Sequence, residues 1–246
     1  MSSIDLNKIA TTPPKSLDKD DCEKETKAYI ETLAELQNVL NAQGKYSLLV
    51  VLQGMDASGK DGVIKEVFSG VNPMGCRVKG FKKPTEEEMK HEFLWRIHKE
   101  VPEKGMIQIF NRSHYEDVVI QRVHKWVDAD TIERRYAHIN AFEQLLLENG
   151  TQLLKFYLHV SQKEQQERLT ERLSDRRKMW KYNPNDLEES KRWPEYMDAY
   201  TQAFNRCNKV PWHIIPADKN WYKEYLIAKK IVETLQSLDM QYPTLA

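Results

Sequence analysis

Residues 46–62 read Tyr-Ser-Leu-Leu-Val-Val-Leu-Gln-Gly-Met-Asp-Ala-Ser-Gly-Lys-Asp-Gly, and they constrain the fold more than any other stretch of the chain. An apolar, β-branched run closes at Gln53 and passes into Gly54-x-x-x-x-Gly59-Lys60, the spacing of a loop that wraps a phosphate. The two glycines let the backbone turn tightly and bring successive N–H groups, those of Ala57 and Ser58 among them, to one anion. Lys60 adds a mobile cation. The helix that follows points its positive end at the same anion. The bland alternative is an ordinary glycine-containing strand–helix turn. The placement between a strand-like and a helix-like run argues against it.

The loop departs from the common pattern. The Ser or Thr that usually follows the lysine, and whose hydroxyl binds magnesium, is Asp61 here. With Asp56 inside the loop, the segment carries two carboxylates, hard oxygen ligands suited to Mg²⁺ beside a phosphate. Either also suits the orienting of a phosphate-accepting oxygen. The simpler role for Asp61 is electrostatic capping of a helix start. Asp56 lies in the turn where the phosphate belongs.

At 246 residues the chain is long enough for one large α/β domain with a buried core. Lys plus Arg balance Asp plus Glu at 37 each, so net charge does not point to nucleic acid. Cys22, Cys76 and Cys207 form no metal-ligand or redox spacing, which fits a reducing compartment. No apolar run reaches membrane-span length, and the N-terminus does not read as a signal peptide. A soluble cytoplasmic protein is the expectation.

Residues 1–20, with Thr11-Thr12-Pro13-Pro14, read as a mobile or wrapping arm. The spacing of Tyr29, Leu33, Leu36 and Leu40 predicts a helix over 21–43, closed by Gly44. Strands are expected at 47–52, 76–81, 106–110, 153–160 and 212–217. Thr85-x-x-Glu88 predicts a helix near 86–100, and Ser161-x-x-Glu164 opens another. A helix over 130–148 ends at Asn149-Gly150. Alternating strands and helices imply a five-stranded parallel sheet with helices on both faces. Phosphate sites on such sheets lie at the carboxyl ends of strands. Residues 21–246 read as a single domain.

Two further segments are dense in chemistry. Met106–Phe110 runs into Asn111-Arg112-Ser113-His114-Tyr115-Glu116-Asp117. In a phosphate-loop protein the end of such a strand is where a second metal carboxylate sits. Here the strand ends in Asn111, with Glu116 and Asp117 displaced into the next turn. Arg112 and Arg122 supply permanent charge and a fork that fits phosphate oxygens. A polar helix start is the simpler reading of this segment. His114 reads as structural beside Tyr115, since phosphoryl transfer seldom needs a general base. In 161–182, Arg168, Arg172 and Arg176 recur four apart on one helical face, and Arg177, Lys178 and Lys181 extend the cluster. A salt-bridged exposed helix explains Arg168 as well. The run from Arg176 to Lys181, free of acids, fits a lid over about 165–190 that closes on transferring phosphates. Most of the C-terminal Trp and Tyr residues read as core.

Taken together these motifs resemble the polyphosphate kinase 2 family. The resemblance rests on Gly54–Gly62, on Asn111–Asp117, and on Arg172…Asp175-x-x-Lys178-x-Trp180-Lys181. Pro184-x-Asp186, Trp193-x-x-Tyr196-x-x-Ala199 and Pro211-Trp212 through Asp218-Lys219 extend it in order over roughly 45–225. It implies a P-loop kinase fold like thymidylate kinases, a three-layer α/β/α sandwich with a helical lid. It also implies reversible transfer of the terminal phosphate of inorganic polyphosphate to a nucleotide, with magnesium or manganese in its place. Residue by residue, Asp56 and Asp117 would serve metal or acceptor positioning, and Lys60 and Arg112 would hold the transferred phosphate. Arg122 and the lid cations would track the polymer. Asn111 and Glu116 stand where many members carry Asp and Asn. That variant resembles the group that phosphorylates both AMP and ADP, and it shifts the metal role from position 111 toward Asp117 or Glu116. Homodimers or homotetramers are implied, with the arm and the 21–43 helix as candidate contacts. Two rivals stand beside this reading: an ATP-dependent nucleotide or small-molecule kinase, and a non-enzymatic polyanion-binding protein.

Overall fold

The computed structural model describes residues 3–245. Its centre is β1 (Ser47–Gln53), buried at all seven positions, as expected of a strand covered on both faces of a parallel sheet. It is flanked by β3 (Ile107–Asn111) and β4 (Thr151–His159), with β2 (Cys76–Gly80) and β5 (Trp212–Pro216) outside them. The order is β2-β3-β1-β4-β5 and every pairing is parallel. All five expected strands form.

One helical layer packs α1 (Lys19–Gln43) and α2 (Lys60–Val67) against α9 (Asn220–Gln236). The other packs α4 (Glu116–Val123) and α5 (Ala129–Glu148) with α8 (Trp193–Arg206). This is the three-layer α/β/α arrangement. Local chemistry sets the helix ends. Asp18 accepts from the N–H groups of Asp20 and Asp21, and Gly44 closes α1 in the left-handed conformation. Ser161 caps α6 (Gln162–Ser174), but Glu164 turns to Arg168 instead of completing the reciprocal box. Beyond it lies α7 (Pro184–Lys191). No described helix is long and apolar enough to cross a membrane.

The expected helix over 86–100 does not form as one element. Thr85 and Glu88 exchange both capping-box hydrogen bonds, yet only a 3₁₀ turn at Glu88–Lys90 and the short α3 (Trp95–His98) follow. The Glu92 carboxylate accepts from the Leu94 N–H, and Arg96 is drawn to the Lys82 carbonyl. These contacts restart the chain where a continuous helix would have aimed Arg96 elsewhere.

The arm wraps. Leu6 is buried, and the His159 imidazole donates from Nε2 to the Leu6 and Ile9 carbonyls at 3.1 and 3.2 Å. Thr11 donates to Asp218 Oδ2 at 2.8 Å and its carbonyl accepts from the Asp218 N–H. Residues 1 and 2 of the expected arm lie outside the described residues.

Beneath the carboxyl end of β3 sits a fully buried polar knot. Lys155 donates to Glu143 at 2.7 Å, to the Tyr115 hydroxyl at 2.8 Å and to the Cys207 carbonyl at 2.9 Å. Tyr115 donates to the other Glu143 oxygen at 2.7 Å. His114 packs here against Tyr115 and Phe142, the structural role expected of it. Removing one partner of a buried ion pair strands the other charge. We expect Glu143→Gln to lower the unfolding free energy by about 3–5 kcal/mol in urea denaturation. A loss below about 1 kcal/mol would show that the pair does not hold this turn.

Candidate active site

The carboxyl edge of the sheet ends in a cavity of about 740 Å³ built around residues 56–62. Gly54 and Gly59 are there of necessity. At Gly54, φ is +154°, and a Cβ would lie 2.7 Å from Ser58 Oγ and 3.0 Å from the Leu158 carbonyl oxygen. At Gly59, φ is +97°, and a Cβ would meet Lys223 Nζ at 2.8 Å. Ala57 and Arg112 are held at φ 61° and 64°, left-handed conformations that cost a non-glycine residue.

Lys60 is buried and curls back over its own loop, donating to the Gly54 and Met55 carbonyls at 2.7 and 3.1 Å. Burial, then the neighbouring Arg112, pushes its pKa down to about 8. Arg112 donates to Asp56 and, at 3.1 Å, to Glu116. Glu116 above all, with help from Asp56, holds the guanidinium charged against the opposing effect of burial. Burial would raise the Asp56 carboxyl, but Arg112 and Lys60 outweigh it and leave it below the usual carboxylate range. Asp61, in the first turn of α2, accepts from Asn111 at 2.8 Å and from Lys181 at 2.5 Å. The second contact ties the segment after α6 to the phosphate loop. Arg172 pairs with Asp186 at 2.6 Å, which links α6 to α7. Nine cationic side chains line this cavity against five carboxylates, so a chain of zero net charge concentrates positive charge at one place.

Next to it, past Lys82, lies a second cavity of about 670 Å³. Its floor is Asp117, whose Oδ2 accepts from Arg96 at 3.2 Å and whose Oδ1 accepts from Gln121 at 2.6 Å. Phe93 lines it, with the Arg135 guanidinium over its ring.

Comparison with known proteins now adds to this geometry. The family model for polyphosphate kinase 2 (PPK2) matches residues 16–243. The AMP/ADP-polyphosphate phosphotransferase of Meiothermus ruber is 50% identical over 86% of this chain and 80% of its own length. The chain belongs to the polyphosphate kinase 2 family. An ADP-polyphosphate phosphotransferase of Rhodopseudomonas palustris is 39% identical over 98% of the chain and 88% of its own length. The crystal structure of polyphosphate kinase 2 from Arthrobacter aurescens TC1 superposes with a TM-score of 0.96. It is 42% identical and covers all of this chain and 89% of its own.

In this polyphosphate kinase 2 member, the structure brings together Asp56, Ala57, Ser58, Gly59, Lys60, Asp61, Arg112, Arg172, Lys178 and Lys181 around one cavity. Gly54 forms the turn beneath them, and Glu116 reaches them through Arg112. Four residues fall elsewhere. Asp117 is one helical position past Glu116, and that step turns its carboxylate into the second cavity, away from Asp56. Arg122 pairs with Asp198 at 3.2 Å on the flank of α4. Arg176 lies beyond the end of α6, so it does not continue the face of Arg168 and Arg172; it is exposed and does not line the cavity. Arg177 is exposed and pairs with Asp175 at 3.2 Å. Sequence reading missed Lys82, Arg96, Lys219 and Lys223. The Asp218-Lys219 segment marked the neighbourhood of two of them, but no local pattern singles out a lysine folded in from a distant helix.

Lys60 sets a pH dependence. A lysine unfolded in water keeps its proton to about 10.5, but in the fold the charge is lost as pH rises through about 8. On this account kcat/KM for a phosphate donor falls along an alkaline limb centred near 8 in the free enzyme. This group's contribution to stability rises over the same range, because the unfolded chain then binds more protons. The activity loss is therefore distinguishable from unfolding. A kcat/KM profile flat to about pH 10 would refute it.

Proposed function

We propose that this protein transfers the terminal phosphoryl group of inorganic polyphosphate to AMP and ADP, forming ADP and ATP, and runs the transfer in reverse. The observation that carries the reading is the cation-rich cavity at the phosphate loop, opening beside a separate, smaller-charged cavity that suits a nucleoside. The names of its relatives supply the donor and acceptor classes.

The backbone of Ala57, Ser58 and Gly59, framed by Gly54, cradles the transferring phosphate with Lys60. Arg112, oriented by Asp56 and Glu116, spans the donor and acceptor phosphates, where charge spreads in a loose transition state. Arg172, Lys178 and Lys181 close from the lid, Lys181 exchanging Asp61 for phosphate. The acceptor's terminal oxygen attacks in line, the donor chain leaves one unit shorter, and no covalent enzyme intermediate forms. The reading includes a cytoplasmic homodimer or homotetramer that acts on soluble phosphates, without nucleic acid or membrane.

The residues present fit a divalent metal that arrives with its phosphate ligands. Among the described residues no three His, Cys, Asp or Glu side chains converge on one point. Magnesium beside a phosphate needs only one or two carboxylates, and the Asp56 side chain is 29% exposed toward the cavity. Asp56 and Asp61 would hold it, and manganese would serve in its place. Bound there, the ion would neutralise negative charge on the phosphate oxygens.

Asp117 takes a different part from the metal role the sequence indicated. It forms, with Arg96, an acceptor and donor pair at the floor of the second cavity, where an adenine edge presents the complementary groups and Phe93 offers a flat apolar wall. Asp117→Asn should raise KM for AMP about tenfold, the loss of one charge-assisted hydrogen bond, with kcat affected less. A fall in kcat at unchanged KM would restore the metal role. For the donor, anion-exchange analysis after incubation with Mg²⁺ should show ATP formed from AMP and polyphosphate alone. Turnover with ATP but not with polyphosphate would overturn the reading. Lys60→Ala should cut kcat about a thousandfold.

A further inference from the structure

Gln53 closes a strand buried at all seven positions and stands directly before Gly54, a polar side chain with no exposure. β1 and β3 pair in register only as far as Leu52 and Asn111. One further backbone bond follows, from the Arg112 N–H to the Leu52 carbonyl at 3.0 Å. Beyond it the two chains part, β1 into the phosphate loop and β3 into the left-handed turn at Arg112. Lys60 and Arg112 lie on these diverging segments. We propose that Gln53 is a positioning residue, whose bridge to Ser113 fixes the Arg112 guanidinium relative to the phosphate loop while a phosphoryl group is transferred. The proposal rests on the reading of Lys60 and Arg112 as the clamp on that group.

Among the described residues, three side-chain hydrogen bonds join the segment 53–61 to the segment 111–117. Asn111 donates to Asp61 at 2.8 Å, Arg112 donates to Asp56, and the Gln53 amide donates from Nε2 to Ser113 Oγ at 3.1 Å. The first two lie in the cavity and end on carboxylates. They are the contacts that phosphate and metal would displace. The third lies beneath the cavity, since neither Gln53 nor Ser113 lines it and both are fully buried. It is placed to persist when substrate arrives and the other two give way.

Both ends of the bridge are held. On one side Gly54 packs so closely that a Cβ would lie 3.0 Å from the Leu158 carbonyl oxygen, and the Gly54 carbonyl itself accepts from the Lys60 amine at 2.7 Å. On the other, Ser113 Oγ accepts from the Tyr115 N–H at 3.2 Å, and the Ser113 carbonyl accepts from the Glu116 N–H at 3.1 Å. Glu116 in turn accepts from Arg112. Tyr200 of α8 reaches the far end of the amide, Gln53 Oε1, at 3.5 Å. The path from the Lys60 amine to the guanidinium thus runs through groups with little freedom. Stability alone does not call for the bridge, because an apolar pair of the same shape fills such a space at little cost. Positioning does call for it, because a shift of about 1 Å in a reacting group costs about a hundredfold in rate.

The test is a double-mutant cycle on AMP phosphorylation, with long-chain polyphosphate and with ATP as donor, for the wild-type protein, Gln53→Met, Ser113→Ala and the double variant. Methionine keeps the length of the glutamine, alanine removes one oxygen, and urea denaturation checks that each variant folds. We expect kcat to fall between about tenfold and a hundredfold in each single variant, with KM for AMP and for the donor within about twofold of wild type. The double variant should be no slower than the slower single one, because the two residues form one link. Single losses that multiply in the double variant would make the residues independent supports and overturn the bridge. So would an unchanged kcat, or a rise in donor KM at unchanged kcat. Ser113→Ala decides the matter if Gln53→Met does not fold. If the wild-type protein turns over with polyphosphate and the variants keep its kcat, only the bridge falls. If it uses ATP alone, the donor reading falls, and the cycle with ATP still judges the bridge.

Discussion

A cleft that gathers cations must keep them from repelling one another until an anion arrives. Here almost every cation is held by a group that phosphate oxygens can replace. Lys60 is bound by loop carbonyls, Arg112 by Asp56 and Glu116, Arg172 by Asp186, and Lys181 by Asp61. The partners lie beside the positions they compensate, so substitution by phosphate needs side-chain movements and no rebuilding of the sheet. The parallel topology makes the arrangement possible. Every strand ends at the same edge, so β1, β3, β4 and β5 deliver their following turns to one place.

The two cavities differ in charge. The phosphate-loop cavity is lined by cations from the segments that follow all five strands, while the neighbouring one is floored by a compensated Arg96–Asp117 pair beside Phe93. They share the segment 111–117. That segment is stiffened from below: Gln53 donates to Ser113, Ser113 Oγ accepts from the Tyr115 N–H, and the Lys155–Glu143 pair anchors the Tyr115 hydroxyl. A left-handed Arg112 is affordable only on such a floor. The buried knot, which lines neither cavity, thus bears on where the guanidinium points.

Much of the site was legible in the order of residues because it is local. Gly54 to Asp61 carries its own geometry: two positions that exclude a side chain, amides in series and a lysine at the start of α2. The strand pattern was legible for the same reason, since a strand buried on both faces must be apolar throughout. Misreadings arose where neighbouring residues diverge in space. Glu116 and Asp117 are adjacent in sequence, yet one helical step of about 100° turns Glu116 to Arg112 and Asp117 into the second cavity. Arg176 follows the four-residue rhythm of Arg168 and Arg172, but α6 stops at Ser174 and the rhythm loses its meaning. The 86–100 segment held a true capping box, and a local contact of Glu92 with the Leu94 N–H, together with the reach of Arg96 to the Lys82 carbonyl, overrode its propagation.

By itself, then, the sequence determined the parallel α/β architecture, the phosphate loop and the family, because periodicity and glycine placement act over a few residues. The tertiary structure decided which charges share a cavity. It sent Asp117 to Arg96, set Arg122 on Asp198 and folded Lys223 from the last helix up against Gly59. Those choices depend on distances between segments well separated in sequence, and Coulomb interactions answer to distance in space and not to position in the chain.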